Sequence, residues 1–74
     1  MQYQHRLHII DSLKQARQII GHVKIFISQA IIAVRNEDIE HAEVLAKKAV
    51  VHLNQLTRLL DELERSAKGD RHDR

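Results

Sequence analysis

The chain has no cysteine and no proline, and its 74 residues include only two glycines, one tyrosine, one phenylalanine and no tryptophan. The absence of cysteine excludes disulfide bonds and thiolate metal sites. Without proline, and with so little glycine, the chain has few of the residues that interrupt helices. The scarcity of aromatic rings argues against a surface on which single-stranded bases stack.

The residues that are present favour amphipathic helices. Apolar residues make up 43% of the chain and charged residues 30%, a balance typical of helices with one buried stripe. Two helices have one mutual face, and a domain this small seldom gains more than about 3–5 kcal/mol from its core. Because disulfides are excluded, self-association is the remaining way to add stability.

Apolar residues recur in two heptad stripes, alternating in steps of three and four as in a coiled coil. Their spacing predicts an antiparallel helical hairpin in residues 1–68, with helices over 3–35 and 38–68 and a turn at 36–37. Asn36 or Asp38 is the expected N-cap of the second helix, and Gly69 is expected to end it before a flexible tail, 69–74. The predicted seam of helix one consists of Ile9, Leu13, Ala16, Ile20, Val23, Ile27, Ala30 and Val34. That of helix two consists of Ile39, Ala42, Ala46, Ala49, Leu53, Leu56, Leu60, Leu63 and Ala67.

Further apolar residues lie outside these stripes, mostly near the turn. A helix segment that is apolar nearly all round must be covered on more than one side. The pattern therefore predicts an all-α fold in which two hairpins assemble as a dimeric four-helix bundle. The residues predicted to form the dimer interface are Ile25, Phe26, Ile32, Val44, Val51 and His52.

No motif predicts catalysis, a cofactor or a small-molecule substrate. The chain has no glycine-rich phosphate loop and no cysteine nucleophile, and of its serines only Ser12 has a histidine, His8, at helical neighbour spacing. His5 and His8 are three residues apart and could share a metal, but the sequence offers no third ligand near them, so they are weak metal candidates. We therefore predict a small non-catalytic interaction or regulatory protein that acts through self-association.

Charge gives an alternative function. Up to residue 35 the chain has five Lys or Arg residues and one acidic residue, Asp11, whereas the second helix is slightly acidic. Cations mixed with amides on the outer surface of helix one could contact phosphate and sugar. The alternative is therefore an RNA- or DNA-binding four-helix bundle that uses Lys14, Arg17, Gln18 and Lys24.

The hairpin plan resembles that of the Rop-type plasmid proteins, which are dimers of helical hairpins that bind paired RNA loops. The similarity is architectural, and no motif matches residue by residue. Residues 19–24, IIGHVK, are similar to a first-helix segment of the copper- and formaldehyde-sensing helical repressors, whose sensing depends on a cysteine that this chain lacks. The start of the chain has no apolar run of signal-peptide type, and the apolar stretch 25–34 is shorter than the ~20 residues of a membrane-spanning helix. We expect a cytoplasmic protein without membrane contact.

Overall fold

A computed structural model describes the backbone of residues 3–71 and the side chains of residues 4–66. The described part is all-helical, with α1 at Tyr3–Arg35 and α2 at Ile39–Arg71, and no strand. The helices pack against each other in antiparallel order, and the hairpin is one helix layer thick, 11 Å along its shortest axis. The predicted helical hairpin is confirmed.

The helix bounds follow the prediction closely except at the end of α2. α1 has the predicted bounds, and α2 begins at Ile39, one residue after the predicted start. The prediction that Gly69 ends α2 is wrong, because the helix continues through Gly69 to Arg71. Glycine ends a helix by adopting a positive φ, and no described glycine does so. The remainder of the predicted tail, residues 72–74, lies outside the described part of the chain.

The turn is a Schellman motif built on a residue other than glycine. The amide of Asp38 donates to the carbonyl of Ala33 at 2.8 Å, and the amide of Glu37 donates to that of Val34 at 2.9 Å. Glu37 has a φ of 62° and occupies the left-handed position usually taken by glycine. Asp38 then caps α2, since its Oδ1 accepts a bond from the amide of His41 at 3.2 Å. Of the two predicted N-caps, Asp38 is the one used.

The contact between the helices differs from the predicted seam at every second position. Four positions of each helix are as predicted, but the positions that alternate with them lie one residue earlier in the sequence on both helices. On α1 the residues that are buried or half-buried in this seam are His5, Ile9, Ser12, Ala16, Ile19, Val23, Phe26, Ala30 and Ala33. On α2 they are Ala42, Leu45, Ala49, His52, Leu56, Leu59, Leu63 and Ser66. The predicted seam position Ala67 lies outside the described side chains.

The fully buried part of the observed seam is made mainly of small side chains. The buried hydrophobic residues among the described side chains are Ala16, Val23, Ala33, Ala42, Leu45 and Ala49, and no large side chain there is completely buried. Small residues at facing positions let two helix backbones approach closely. The hairpin therefore encloses little apolar volume of its own.

Candidate functional site

An extended apolar surface of the hairpin lies outside the seam. It consists of two rows with seven-residue spacing, one on each helix, and we call these eight residues the apolar face. They are Leu13, Ile20, Ile27, Val34, Ile39, Ala46, Leu53 and Leu60, and all eight are exposed. These are the residues that the sequence pattern placed between the two helices, so that part of the predicted seam is wrong.

Both rows lie on the same side of the molecule. Ile27 and Val34 from α1 and Ala46 from α2 line one shallow depression whose walls are almost entirely apolar. Each row continues at the same helical angle, because seven residues make nearly two turns. The apolar face therefore runs from the turn, at Val34 and Ile39, along both helices to the level of Leu13 and Leu60.

The large aliphatic side chains of the apolar face are about half exposed. Ile20 is 45% exposed, Ile27 48% and Ile39 55%. Ile10, Ile31 and Val50 extend the rows sideways and are exposed to similar degrees. Ten large aliphatic side chains left about half exposed present on the order of 800 Å² of accessible surface, which is what a standard interface takes from each partner.

The other side of the hairpin is polar. Near the open end, His8, Gln15 and Glu62 line a depression together with Asp11. Near the turn, Gln29 and His41 take part in lining a second one. The two flanks of the seam thus differ in chemistry, and only one of them carries a continuous apolar surface.

The six residues predicted as the dimer interface are divided by the structure into two groups. Ile25, Ile32, Val44 and Val51 are exposed, but helical rotation places them at the outer edges of the polar side, with a polar strip between them. That strip consists of His22, Gln29, His41 and Lys48. The structure does not bring these four residues together into one surface.

Phe26 and His52 are placed elsewhere. Both are half-buried in the seam of a single chain, and their ring centroids are 5.2 Å apart. Phe26 also packs against the buried cluster at the turn end of the seam, which includes Ala33 and Leu45. Phe26 and His52 therefore contact each other across the hairpin of a single chain, and their predicted contact with a second chain stays a prediction.

His52 has partners that explain its place in the seam. Its Nδ1 lies 2.9 Å from the carbonyl oxygen of Lys48, one turn earlier, so a protonated Nδ1 donates to that oxygen. The His22 ring meets it edge to face at 5.5 Å. The Lys48 ammonium lies 5.9 Å from the centroid of the Phe26 ring, within cation–π distance. The imidazole thus fills a seam position while its Nδ1 has a backbone partner on its own helix.

The residues of the nucleic-acid alternative remain on the outside of α1. Lys14, Arg17, Gln18 and Lys24 are all exposed. Lys14 and Arg17 line a shallow depression with Ile10 and Leu13. The basic residues of α1 therefore border the apolar face directly, which the sequence pattern did not indicate.

The weak metal candidates do not form a site in the part of the chain that is described. His5 is half-buried at the seam, whereas His8 is exposed on the polar side. No group of three or more His, Asp or Glu side chains that could hold a metal is found among the described residues.

By length and composition alone, α1 from Gln4 to Arg35 is long and apolar enough to cross a membrane. Core helices of soluble proteins and signal sequences meet the same criterion. In this chain the apolar residues of α1 lie in the seam, on the apolar face and, in the case of Ile25 and Ile32, at the edge of the polar side, and Lys24 lies within the helix.

Comparisons with protein-family models, with curated proteins and with solved structures find no match for this chain. Any functional assignment therefore rests on the geometry described above.

Proposed function

We propose that this protein is a small non-catalytic interaction protein that acts through self-association, and that two copies pair through the apolar face as a four-helix bundle. The observation that supports this proposal is the continuity of the apolar face, which contains eight apolar residues and no polar one. An exposed apolar surface of this extent is typical of an interface.

The composition of the seam supports the same proposal. Many large aliphatic side chains, such as Ile20, Ile27 and Leu53, lie exposed outside the contact between α1 and α2, while alanines occupy four of the six buried hydrophobic positions. A lone hairpin would leave most of its hydrophobic free energy unused. Pairing two apolar faces gives these side chains a core of normal size, and the working environment we propose is an aqueous one, the cytoplasm.

The test uses two isoleucines on α1 that differ in the side they face. Ile27 is 48% exposed on the apolar face and Ile32 is 55% exposed on the polar side. Ile27→Lys is expected to weaken dimerisation at least about tenfold, because it places a charge in a desolvated contact in both copies. Ile32→Lys is the matched control and is expected to leave the dimer intact.

Sedimentation equilibrium at micromolar concentration measures both variants against the unchanged protein. A monomeric unchanged chain would contradict the proposal. Equal weakening by both substitutions, or weakening by Ile32→Lys alone, would also contradict it, since the interface would then lie on the other side. Flotation with lipid vesicles is measured in parallel. If the unchanged chain is monomeric and binds vesicles, and Ile27→Lys abolishes that binding, the apolar face contacts a membrane and not a second copy.

A second candidate function is binding to RNA or DNA, and one observation favours it. Lys14, Arg17, Gln18 and Lys24 lie exposed on the outer part of α1, where no described acidic side chain of the same helix interrupts them. This candidate predicts affinity for duplex or looped RNA that falls steeply as salt is raised.

Fluorescence anisotropy with a labelled RNA hairpin tests this candidate. Reversing Lys14, Arg17 and Lys24 to Glu should abolish binding, whereas reversing Arg58 and Arg65 on the polar side of α2 should have little effect. Binding that is absent at low salt, or that both sets of substitutions reduce equally, rejects the assignment.

A further inference from the structure

The apolar face is bordered by charges of opposite sign on its two edges. We call the exposed charged residues beside the apolar row of each helix the α1 rim and the α2 rim. Among the described side chains, the α1 rim contains four basic residues and no acidic one, namely Lys14, Arg17, Lys24 and Arg35. Arg6 lies seven residues before Leu13 and so continues the apolar row itself. Within the same described range, the α2 rim contains four acidic residues and one basic one, namely Glu40, Glu43, Asp61, Glu64 and Lys47.

The two rims do not neutralise each other within one hairpin. They lie on opposite edges of the apolar face, with both apolar rows between them. On each helix the rim positions are farther from the seam, around the helix axis, than the apolar row is. The rims therefore meet charges of a second molecule once two apolar faces are paired.

A two-fold axis can bring two apolar faces together in two ways. If both turns lie at the same end of the bundle, α1 of each chain lies beside α2 of the other. If the turns lie at opposite ends, α1 lies beside α1 and α2 beside α2. The rims decide between these arrangements, since the second places four cations beside four cations and the acidic rim beside its own copy.

We infer that the two chains pair with their turns at the same end, so that the basic α1 rim of each copy lies beside the acidic α2 rim of the other. This inference rests on the proposed self-association. In the antiparallel hairpin His22 is level with His52, so Lys14 stands near the level of Asp61 and Arg35 near that of Glu40. The same levels hold between α1 and the partner's α2 when the turns lie together, and each of these pairs then occurs twice in the dimer.

The arrangement also bears on the nucleic-acid candidate. With turns at opposite ends, the two α1 rims would merge into one basic strip, as an RNA-binding bundle requires. With turns at the same end, the two α1 helices lie diagonally across the bundle and their rims are separated. The orientation of the dimer therefore discriminates between a protein that only self-associates and one whose α1 rims together bind nucleic acid.

Cysteine cross-linking tests the orientation cleanly, because the chain has no cysteine of its own. Lys24 on α1 and Val50 on α2 lie at the same level beside the apolar face, so Lys24→Cys is mixed with Val50→Cys under oxidising conditions after subunit exchange. Each chain then carries one thiol, and every disulfide formed joins two chains. We expect the disulfide between Lys24→Cys and Val50→Cys to form at least about tenfold faster than the disulfide between Lys24→Cys and Gln55→Cys. The second pair is the control, because Gln55 lies on the polar side.

A mixture of Lys24→Cys with Arg17→Cys tests the opposite arrangement. Efficient cross-linking of that pair would overturn the inference and favour the merged basic strip, while leaving self-association intact. The mass of each unoxidised variant is measured first, because a monomer would overturn the proposed function as well. A dimer in which neither mixture exceeds the Gln55→Cys control would also overturn the inference.

Charge reversal gives an independent readout whose sign depends on the orientation. With turns together, Arg17→Glu places two carboxylates beside the acidic α2 rim and should weaken the dimer about threefold to tenfold at low salt, and Asp61→Lys in the same chain should restore it. With turns apart, Arg17→Glu would relieve repulsion between the two α1 rims and tighten the dimer. Tightening on this substitution overturns the inference.

Discussion

At the scale of single residues, the turn is the most tightly specified part of the molecule. Three consecutive residues have distinct tasks there. Asn36 closes the last turn of α1 by donating to the carbonyls of Ile32 and Ala33. Glu37 reverses the chain in the left-handed region, and Asp38 completes the Schellman bond and caps α2. One short segment therefore satisfies the free backbone groups of both helix ends.

Glu37 is the residue whose replacement should stabilise the hairpin. A side chain in the left-handed region costs about 1 kcal/mol relative to glycine, although glycine also has more freedom to lose on folding. Glu37→Gly is expected to raise the free energy of unfolding by about 0.5 kcal/mol, measured by urea denaturation at fixed protein concentration. Asn36→Gly is the control, because Asn36 does not have a positive φ, and it should give no gain.

Asp38 is the residue whose loss should cost the most at the turn. Replacing an N-cap aspartate by alanine removes a bond to a first-turn amide, here that of His41, and costs about 1 kcal/mol. Asp38→Ala should therefore lower the urea midpoint, whereas Asp38→Asn should retain most of the stability because its side-chain oxygen can accept the same bond. An equal loss in both variants would show that the cap is not the cause.

At the scale of the helices, the main finding is a rotation of each one relative to the predicted contact. The predicted seam combined the correct row, such as Val23, with the richer neighbouring row, such as Ile27. The structure combines the same correct row with the row that contains Ala33 and Phe26. With 100° of rotation per residue, the contact is displaced by about 50° on each helix.

The turn explains this choice. The Schellman bond from Asp38 reaches Ala33, and the amide of Ala42 donates to the carbonyl of Asp38, so the two alanines flank the bend and face each other in the seam. A bend of so few residues keeps the helices close, and small side chains permit that distance. Larger side chains such as Ile27 and Val34 lie outside this close contact and are exposed.

Overpacking this seam should therefore be costly. Ala33→Leu adds a branched side chain at a position that is 5% exposed, and it should lower the free energy of unfolding by about 1–3 kcal/mol. Val44→Leu is a suitable control, since Val44 is exposed away from the seam and the change should have little effect. Thermal denaturation followed by circular dichroism measures both, and a tolerated Ala33→Leu would show that the helices are not held close.

At the scale of the whole molecule, the single layer is the decisive property. The hairpin has an apolar face on one side, a polar face on the other and a seam rich in alanine between its helices. Under the proposed pairing, a second copy gives this single layer the covered core that it lacks alone. Folding and association should then be one process.

Stability should therefore depend on protein concentration. A folded state that contains two chains is favoured by mass action, so the melting temperature should rise measurably over a hundredfold increase in concentration. Ile27→Lys should lose this dependence together with most of its stability, whereas Ile32→Lys should keep it. Melting curves recorded from about 1 to 100 μM test this, and a melting temperature independent of concentration in the unchanged protein would contradict a coupled dimer.

The sequence alone was enough to predict two helices of the observed length, the place of the turn, Asp38 as one of two capping residues and the presence of apolar surface beyond one contact. These features depend on local spacing and capping chemistry, which the order of residues contains directly. It did not reveal which of two adjacent apolar rows faces the other helix, because a heptad repeat is compatible with either. Only the tertiary structure decided that, through a bend that brings Ala33 and Ala42 together, and it thereby turned Leu13, Ile20, Ile27 and Leu53 outward as an exposed apolar face.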